Sequence, residues 1–441
     1  MSDTANFRVI VLGGGPAGLI TAHALHAAGI DYVVLERQAE IVRFRGALIL
    51  IASPLCRLMD QLGLYKPLLE FSTPVISKTN STYTGEPLWS SPIFKDIGDE
   101  LGYPTLGLSR GNLLRVLYEN LPERETRVRA NAEVVKTETL EDGVRVHLAD
   151  GSVVNGSIVI ASDGVHSPTR ELIQRLGQPG GSKPVSPMVP GYLCVFGHTQ
   201  DALREDIVLG DFAESHGHGI VSQSSRLKDT IFFSILKRLD NKAAERTRFT
   251  AEDLDAFVEE MSDWTIFPGV KMKELWTQRQ EGHAVLLHQE EGVAEKWYHD
   301  RIVLVGDAAH KMTSINGLGA VSGGLSAAVL VNNLHATLQK TPKPSTEDLK
   351  AAFAEYQAAR QPVTTEIVNY GIKATRIATW TGEGTEAKDR EGSRGGAMLK
   401  QVRGKLVLGL SQSPILDFVP FEGQQGTTPW VPSNDPAAWK M

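Results

Sequence analysis

Apolar positions along this chain fall into short continuous runs divided by glycine-rich turns, and the first such unit sets the pattern. Residues 9–12 form an apolar run. A turn follows, then helical spacing over 17–28, then a second apolar run over 32–36 that ends in an acid. Short apolar runs bounded by turn residues read as buried strands, and the change of period between them reads as strand–helix–strand. Residues 55–62 carry helical spacing up to Gly63. Alternating Thr, Ser, Val and Tyr over 75–83 predict strands, the start of an excursion from the first unit. Ser109 is a candidate N-cap for a helix over 111–120, with Leu113, Leu114 and Leu117 on one face. Residues 133–138 and 144–148 alternate around Glu141-Asp142-Gly143, a hairpin signal.

Further on, residues 157–161 predict another buried strand, which runs into Ser162-Asp163-Gly164. From 184 to 284 the pattern turns to short β-like runs (191–197, 230–236) with one helical stretch at 251–261. Buried strand character returns at 301–305. A glycine-spaced turn then leads into a long small-residue helix reaching about residue 338, and an amphipathic helix is expected over 347–371. The expected fold class is α/β. A Rossmann-like unit (1–75, 105–183, 285–375) carries an inserted, mostly antiparallel β-sheet domain (76–104, 184–284) and a C-terminal helical segment. The tail over 376–441, above all beyond Lys388 with its prolines, is expected to be irregular.

Composition adds exclusions. The chain has 441 residues, 41% hydrophobic and 22% charged, as in ordinary soluble proteins. A net charge of −7 gives no basic footprint, so no nucleic-acid partner is expected. Cys56 and Cys194 make neither a disulfide framework nor a metal cluster. No basic and apolar leader precedes the first strand, and a cytoplasmic location is expected. No Asp, Glu, Lys or Arg occurs between Lys311 and Lys340, which could suggest a membrane span. Ser322, Ser326, Asn332, Asn333 and the glycines of its first half favour a buried helix instead, so no integral membrane span is expected. The sequence does not specify an oligomeric state.

The candidate chemistry lies in the turns. Gly13-x-Gly15-x-x-Gly18 follows a strand and opens a helix, and Glu36 closes the second strand about twenty residues on. Gly13 permits the tight turn, Gly15 the approach of a pyrophosphate, and Gly18 the packing of helix on strand. A carboxylate at Glu36 suits a ribose 2′-OH and repels a 2′-phosphate, so the site holds FAD or NAD rather than NADP. Arg110 falls in a helix's first turn, where a cation is locally unfavourable. Either an anion lies nearby or the side chain is simply solvated. Asp163-Gly164 at a strand's end is either a ligand-binding turn or an ordinary one. Asp307, also at a strand end, suits the hydroxyls of a polyol, and the helix start after Gly319 can point N–H groups at developing negative charge.

Three stretches taken together, GGGPAGL with Glu36, ASDGVHSPTR and RIVLVGDAAHKMTSINGLGA, resemble the FAD-dependent aromatic-hydroxylase-type monooxygenases, most closely their fungal secondary-metabolite branch. The resemblance spans residue 8 to about 371. It implies FAD held by Gly13, Gly15, Gly18, Glu36, Gly46, Ala47, Arg110, Asp163, Asp307, Gly319 and Ala320, with NADPH or NADH as transient reductant. It also implies a small-molecule substrate, an electron-rich ring or alkene of a biosynthetic intermediate, that is hydroxylated or epoxidised. The sequence departs from the family pattern at Ser314, usually proline, and Val321, usually asparagine. It departs again at Leu193, where the fungal branch often has an arginine assigned to catalysis. No catalytic residue is named. Tyr192 is either a hydrogen-bond donor in the pocket or a core tyrosine, and His310 either lies near the flavin or is structural. The same departures admit a second expectation, a non-oxidative cyclisation, rearrangement or dehydration on this fold. A third is a flavin-binding oxidase or a non-catalytic partner.

Overall fold

The computed structural model describes residues 7–44, 46–178, 184–200, 204–240, 248–392 and 396–433. Its first sheet has the order Tyr298–His299, Ile302–Leu304, Ile158–Ala161, Arg8–Leu12, Asp31–Leu35, Val128–Arg129. All neighbours are parallel except the Tyr298–His299 edge. The central strands are almost wholly buried, as continuous apolar runs covered on both faces must be. Helix Pro16–Ala27 packs beside helix Gly319–Lys340 on this sheet. The hairpin around residues 141–143 forms as expected, pairing Thr139 with Val144.

The second sheet has eight strands in the order His310–Lys311, Val285–Val293, Val189–His198, Ile231–Arg238, Ile220–Arg226, Asp211–Gly217, Ser77–Thr82, Pro87–Ser91. It is antiparallel except where Asp211–Gly217 lies parallel to Ser77–Thr82. The expected β stretch at 75–83 is split between sheets. Thr73–Val75 pairs with Thr105–Ser109 in a small three-stranded sheet, and Ser77–Thr82 joins the large one. Strand Val285–Val293 pairs with Val189–His198 along its length, although the expected division at 284/285 assigned it to the Rossmann-like unit.

The tail corrects an expectation. Beyond Lys388 the chain is not simply irregular. Helix Thr385–Gly392 runs past that point, and helix Gly396–Ser411 follows, burying Val407 and Leu410. Val402, Leu406 and Leu410 recur at helical spacing, but Gly396, Gly404 and Gly409 punctuate the stretch and obscure it. After Ser411 the chain lies as a strap across helix Ser53–Gln61. The Gln61 amide donates to the carbonyls of Leu416 and Val419 and accepts from Leu416 N–H. Trp430 stacks beneath the Arg57 guanidinium at 4.7 Å. Leu416 is fully buried. Leu416→Ala is expected to lower the unfolding free energy by about 2–4 kcal/mol through the cavity it leaves, measured by urea denaturation.

Candidate active site

Glycine is required at the first turn for two separate reasons. Gly13 has φ +100°, and a Cβ there would sit 2.6 Å from the Ser162 carbonyl oxygen. A Cβ on Gly18 would overlap the Gly13 carbonyl oxygen and crowd Ser162 Oγ. The turn and the strand end at Ser162 are therefore pressed together, and Ser162 Oγ donates to the Leu12 and Gly13 carbonyls. Gly15 is different, because a Cβ there would meet nothing within 4 Å. Gly319, at the start of the long helix, also faces open space.

Around that space the charged residues converge from distant parts of the chain. Glu36 is buried, and its carboxylate accepts from Gly14 N–H at 2.8 Å and Gln38 N–H at 2.9 Å. Two of its roughly four acceptor positions are thereby used, which leaves capacity for a ligand's hydroxyls. Arg110 opens helix Arg110–Glu119, capped by Ser109 Oγ accepting from Asn112 N–H. Burial pulls the Arg110 pKa below arginine's ordinary value, Arg43 pushes the same way, and Glu36 and Asp307 oppose them. Arg110 N–H donates to the Ala47 carbonyl, and Gly46 N–H to the His283 carbonyl, so the 46–47 loop is tied on both sides. Arg45 lies outside the described residues. A cavity of about 650 Å³ opens here, lined by Gln38, Arg43, Phe44, Arg110, Gly282 and His283 among others.

The two aspartates differ in environment. Asp163 Oδ2 accepts from Thr169 N–H at 3.2 Å. Its Oδ1 is buried with no hydrogen-bond partner among the described residues, and burial raises its pKa. Asp307 is half-exposed and ion-paired with Lys311 at 2.9 Å. Open backbone at Gly15 and Gly319, the spare acceptors of Glu36 and the unpartnered Asp163 oxygen fit FAD. Ala320, next to Gly319, is part-buried against the main core.

Both of the two ambiguous side chains are buried. Tyr192 is buried in an apolar cluster with Cys194, Phe196, Val221 and Leu236, and burial pushes its pKa up. His310 is buried against Trp297, with Nε2 3.2 Å from Ser326 Oγ. Burial, reinforced by Arg360, brings its pKa down to about 3, so it is neutral at working pH. Leu193 points to the opposite face of its strand from Tyr192 and Cys194, packing on the cluster of Phe233, Phe257 and Phe267. Val321 is buried in the main core.

The family model described as "FAD binding domain" matches residues 6–370. The FAD-dependent monooxygenase srdH of Neurospora crassa is 38% identical over 96% of this chain and 98% of its own length. The chain belongs to the FAD-dependent monooxygenases. A further relative, the FAD-dependent monooxygenase penM of Penicillium crustosum, is 33% identical over 82% of this chain and 76% of its own. Among solved structures, Klebsiella pneumoniae HpxO complexed with FAD and uric acid aligns at TM-score 0.76 and 23% identity, covering 92% of this chain and 97% of that one. The Diels-Alderase PyrE3 aligns at TM-score 0.66 and 22% identity, covering 91% and 80%. These two likenesses concern the fold. Like its relatives, this monooxygenase is an FAD flavoprotein, and no helix among its described residues is long and apolar enough to cross a membrane.

One group in the monooxygenase went unread in the sequence. On strand Asp211–Gly217, Glu214 and His216 are buried. Lys78 pairs with Glu214 at 2.7 Å. His216 lies between Asp389, 2.7 Å from Nδ1, and Glu214, 3.2 Å from Nε2, with Asn80 also 3.2 Å from Nε2. Trp380 donates to Asp389, and Tyr370 feels both Lys78 and Glu214. Polar residues at alternate positions of an enclosed strand were the available signal.

Two predictions follow from this geometry. Glu36→Ala and Asp307→Ala should each weaken FAD binding by about tenfold, the worth of one or two charged hydrogen bonds, read as lost flavin absorbance after gel filtration. The second concerns pH. His216 has a folded pKa raised above its ordinary 6.5 because hydrogen bonds and attraction from Asp389 and Glu214 outweigh burial. Its stabilisation is therefore complete below that value and is lost as pH rises through the folded one. Glu214, held down to about 2 against burial by Lys78 and His216, stabilises above its ordinary 4.5 and loses this as pH falls toward 2. The melting temperature should fall on the alkaline side of neutrality, and His216→Gln should flatten that limb.

Proposed function

We propose that the chain hydroxylates or epoxidises a small aromatic, terpenoid or alkaloid biosynthetic intermediate, using FAD, O₂ and a nicotinamide nucleotide that visits and leaves. The observation that carries this is that Arg110 feels both Glu36 and Asp307, from distant parts of the chain, while Glu36 is bonded to the glycine turn at Gly14, in a chain of this family. When bound, FAD supplies hydride acceptance and O₂ activation, chemistry that belongs to the cofactor. The protein's part is to hold and to exclude. Gly13, Gly15 and Gly18 shape the phosphate turn, and Glu36 takes the adenosine ribose. Arg110 and Asp163 face the cofactor, and Asp307 takes the ribityl hydroxyls. Gly46-Ala47 lies along it, and the helix start at Gly319-Ala320 favours negative charge developing on the ring.

We also place the substrate domain at 76–104 and 184–293, because strand Val285–Val293 belongs to its sheet, and the enzyme in the cytoplasm. NADPH and NADH are both candidates as reductant. The non-oxidative reading keeps the support of Ser314 and Val321 but loses that of Leu193, whose side chain packs on the far face of the sheet.

In the assay that decides, purified protein with FAD should oxidise NADPH or NADH faster when a substrate from a panel of aromatic and terpenoid intermediates is present. With ¹⁸O₂ the product should gain one labelled oxygen atom. Turnover of substrate under strict anaerobiosis without reductant would establish the non-oxidative reading instead.

A further inference from the structure

Between the Gly-Asp motif and helix Gly319–Lys340 the backbone makes one 3-10 turn, Ser314–Asn316. Two glutamines of the eight-stranded sheet reach it. Ser314 N–H donates to Gln289 Oε1 at 3.2 Å, and Gln223 Nε2 donates to the Ile315 carbonyl at 2.9 Å. They come from strands Val285–Val293 and Ile220–Arg226, which are separated by two others, so they hold the turn from two sides. Both side chains are buried, at 5% and 7% exposure. A buried amide is costly unless its polar atoms are bonded, so a glutamine in such a position needs its partner as much as the partner needs it.

Gln223 is itself aimed. Its Nε2 also donates to Glu214 Oε1 at 2.8 Å. With oxygen acceptors on two sides, the amide has one sensible orientation. Glu214 in turn is fixed by Lys78 and His216, and His216 by Asp389. The charged cluster thus acts as a mount for one amide group, and that amide grips the turn. Past the turn, Gly317 N–H donates to the Ser314 carbonyl and Leu318 N–H to Asn316 Oδ1, so a displaced turn would carry the helix start with it.

We propose that Gln289 and Gln223 are positioning residues that fix the Ser314–Asn316 turn, and through it the Gly319-Ala320 helix start, for bound FAD. This rests on the monooxygenase reading. Misplacement would uncouple the reaction. NAD(P)H, a proton and O₂ would then give NAD(P)⁺ and hydrogen peroxide, with both electrons of the hydride going to oxygen and none of the oxygen reaching substrate.

Backbone chemistry supplies a test. Thr313 has φ −61° and ψ 155°, the extended conformation a residue before proline adopts, and Ser314 is the first residue of the turn. Thr313's extended backbone tolerates a following proline, and in Ser314→Pro the ring Cδ takes the place of the hydrogen that Gln289 accepts, so the change removes the N–H and displaces the Gln289 side chain. Holoprotein carrying Gln289→Leu, Ser314→Pro, both changes, or Gln223→Met is compared with wild type. The readouts are the visible absorption of bound FAD, the melting temperature and hydrogen peroxide formed per NAD(P)H. Gln289→Leu and Gln223→Met should each shift the flavin bands and raise peroxide about three- to tenfold, the worth of one hydrogen bond. The Gln289→Leu/Ser314→Pro double variant should be no worse than Gln289→Leu alone, because both remove one bond. Additive effects, or wild-type flavin bands and coupling in Gln289→Leu and Gln223→Met, would overturn the proposal. If wild type consumes no NAD(P)H with any substrate, the monooxygenase reading fails. The flavin bands and melting temperatures of the same four variants still decide whether the two glutamines hold the turn.

Discussion

Everything in this molecule is built about the fifteen or so residues from Leu304 to Gly319, which must satisfy two sheets at once. Leu304 ends a parallel strand beside Ala161, and Val305 N–H still donates to the Ala161 carbonyl. Gly306, with φ +65°, then turns the chain so closely past the first helix that a Cβ would lie 2.8 Å from that of Ala17. Only a few residues later His310 and Lys311 pair with Val293 and Gly292 in the other sheet. The connection is too short to be slack. The two cores therefore meet through one backbone segment, and a shift of either sheet is felt at the residues between them. One covalent segment thus sets the separation of the two sheets at this point.

The electrostatics obey the same geometry. Glu36, Asp307, Arg43, Arg110 and Lys311 are far apart in sequence and feel one another in the fold. The mixture of signs allows acidic groups that accept hydroxyls to sit beside cations that favour phosphate, without a large net field. The pairing of Lys311 with Asp307 shows the balance, because attraction and a hydrogen bond to the carboxylate outweigh burial and hold the ammonium's pKa above its ordinary value. Deeper in the second sheet the same rule is stricter. Lys78, Glu214, His216 and Asp389 carry two charges of each sign when His216 is protonated, and each ion touches an opposite one. A buried cluster that balances in this way avoids the penalty of a lone buried ion, and it also orients the groups it touches.

What could be read in the sequence was local. The glycine turn, the Ser109 cap, the hairpin at 141–143 and the long small-residue helix each follow from contacts within a dozen residues, and the structure has all four. What could not be read depends on register or on distant partners. The strand Val285–Val293, which the expected bounds put with the Rossmann-like unit, lies in the second sheet; Gln289, Glu290 and Glu291 interrupt its apolar pattern. The helix at Gly396–Ser411 was missed because its glycines mimic a loop, while packing over the Rossmann-like core supplies the stability that propensity lacks. The Glu214–His216 group draws on strands at 77–82, 211–217 and 220–226 and a helix at 385–392, and no spacing rule joins them.

Register also decides which departures from the family pattern matter. Side chains alternate along Val189–His198, so Tyr192, Cys194 and Phe196 share a cluster with Ile315 while Leu193 and Val195 face the second core. An arginine at 193 would have to leave that apolar core or turn the strand over, and a one-residue slip would exchange the faces of all ten residues. The strand is pinned on both sides, Cys194 opposite Leu236 and Leu287, so no such slip is open to it. Leucine at 193 thus fits the apolar core on which it packs. Serine at 314 stands in a different relation to the fold, because its N–H is spent on a buried side chain of the other sheet. A substitution that fills a core reports on packing. A residue whose backbone donor is held at the junction of two sheets reports instead on how that junction is built, and Ser314 does so through Gln289.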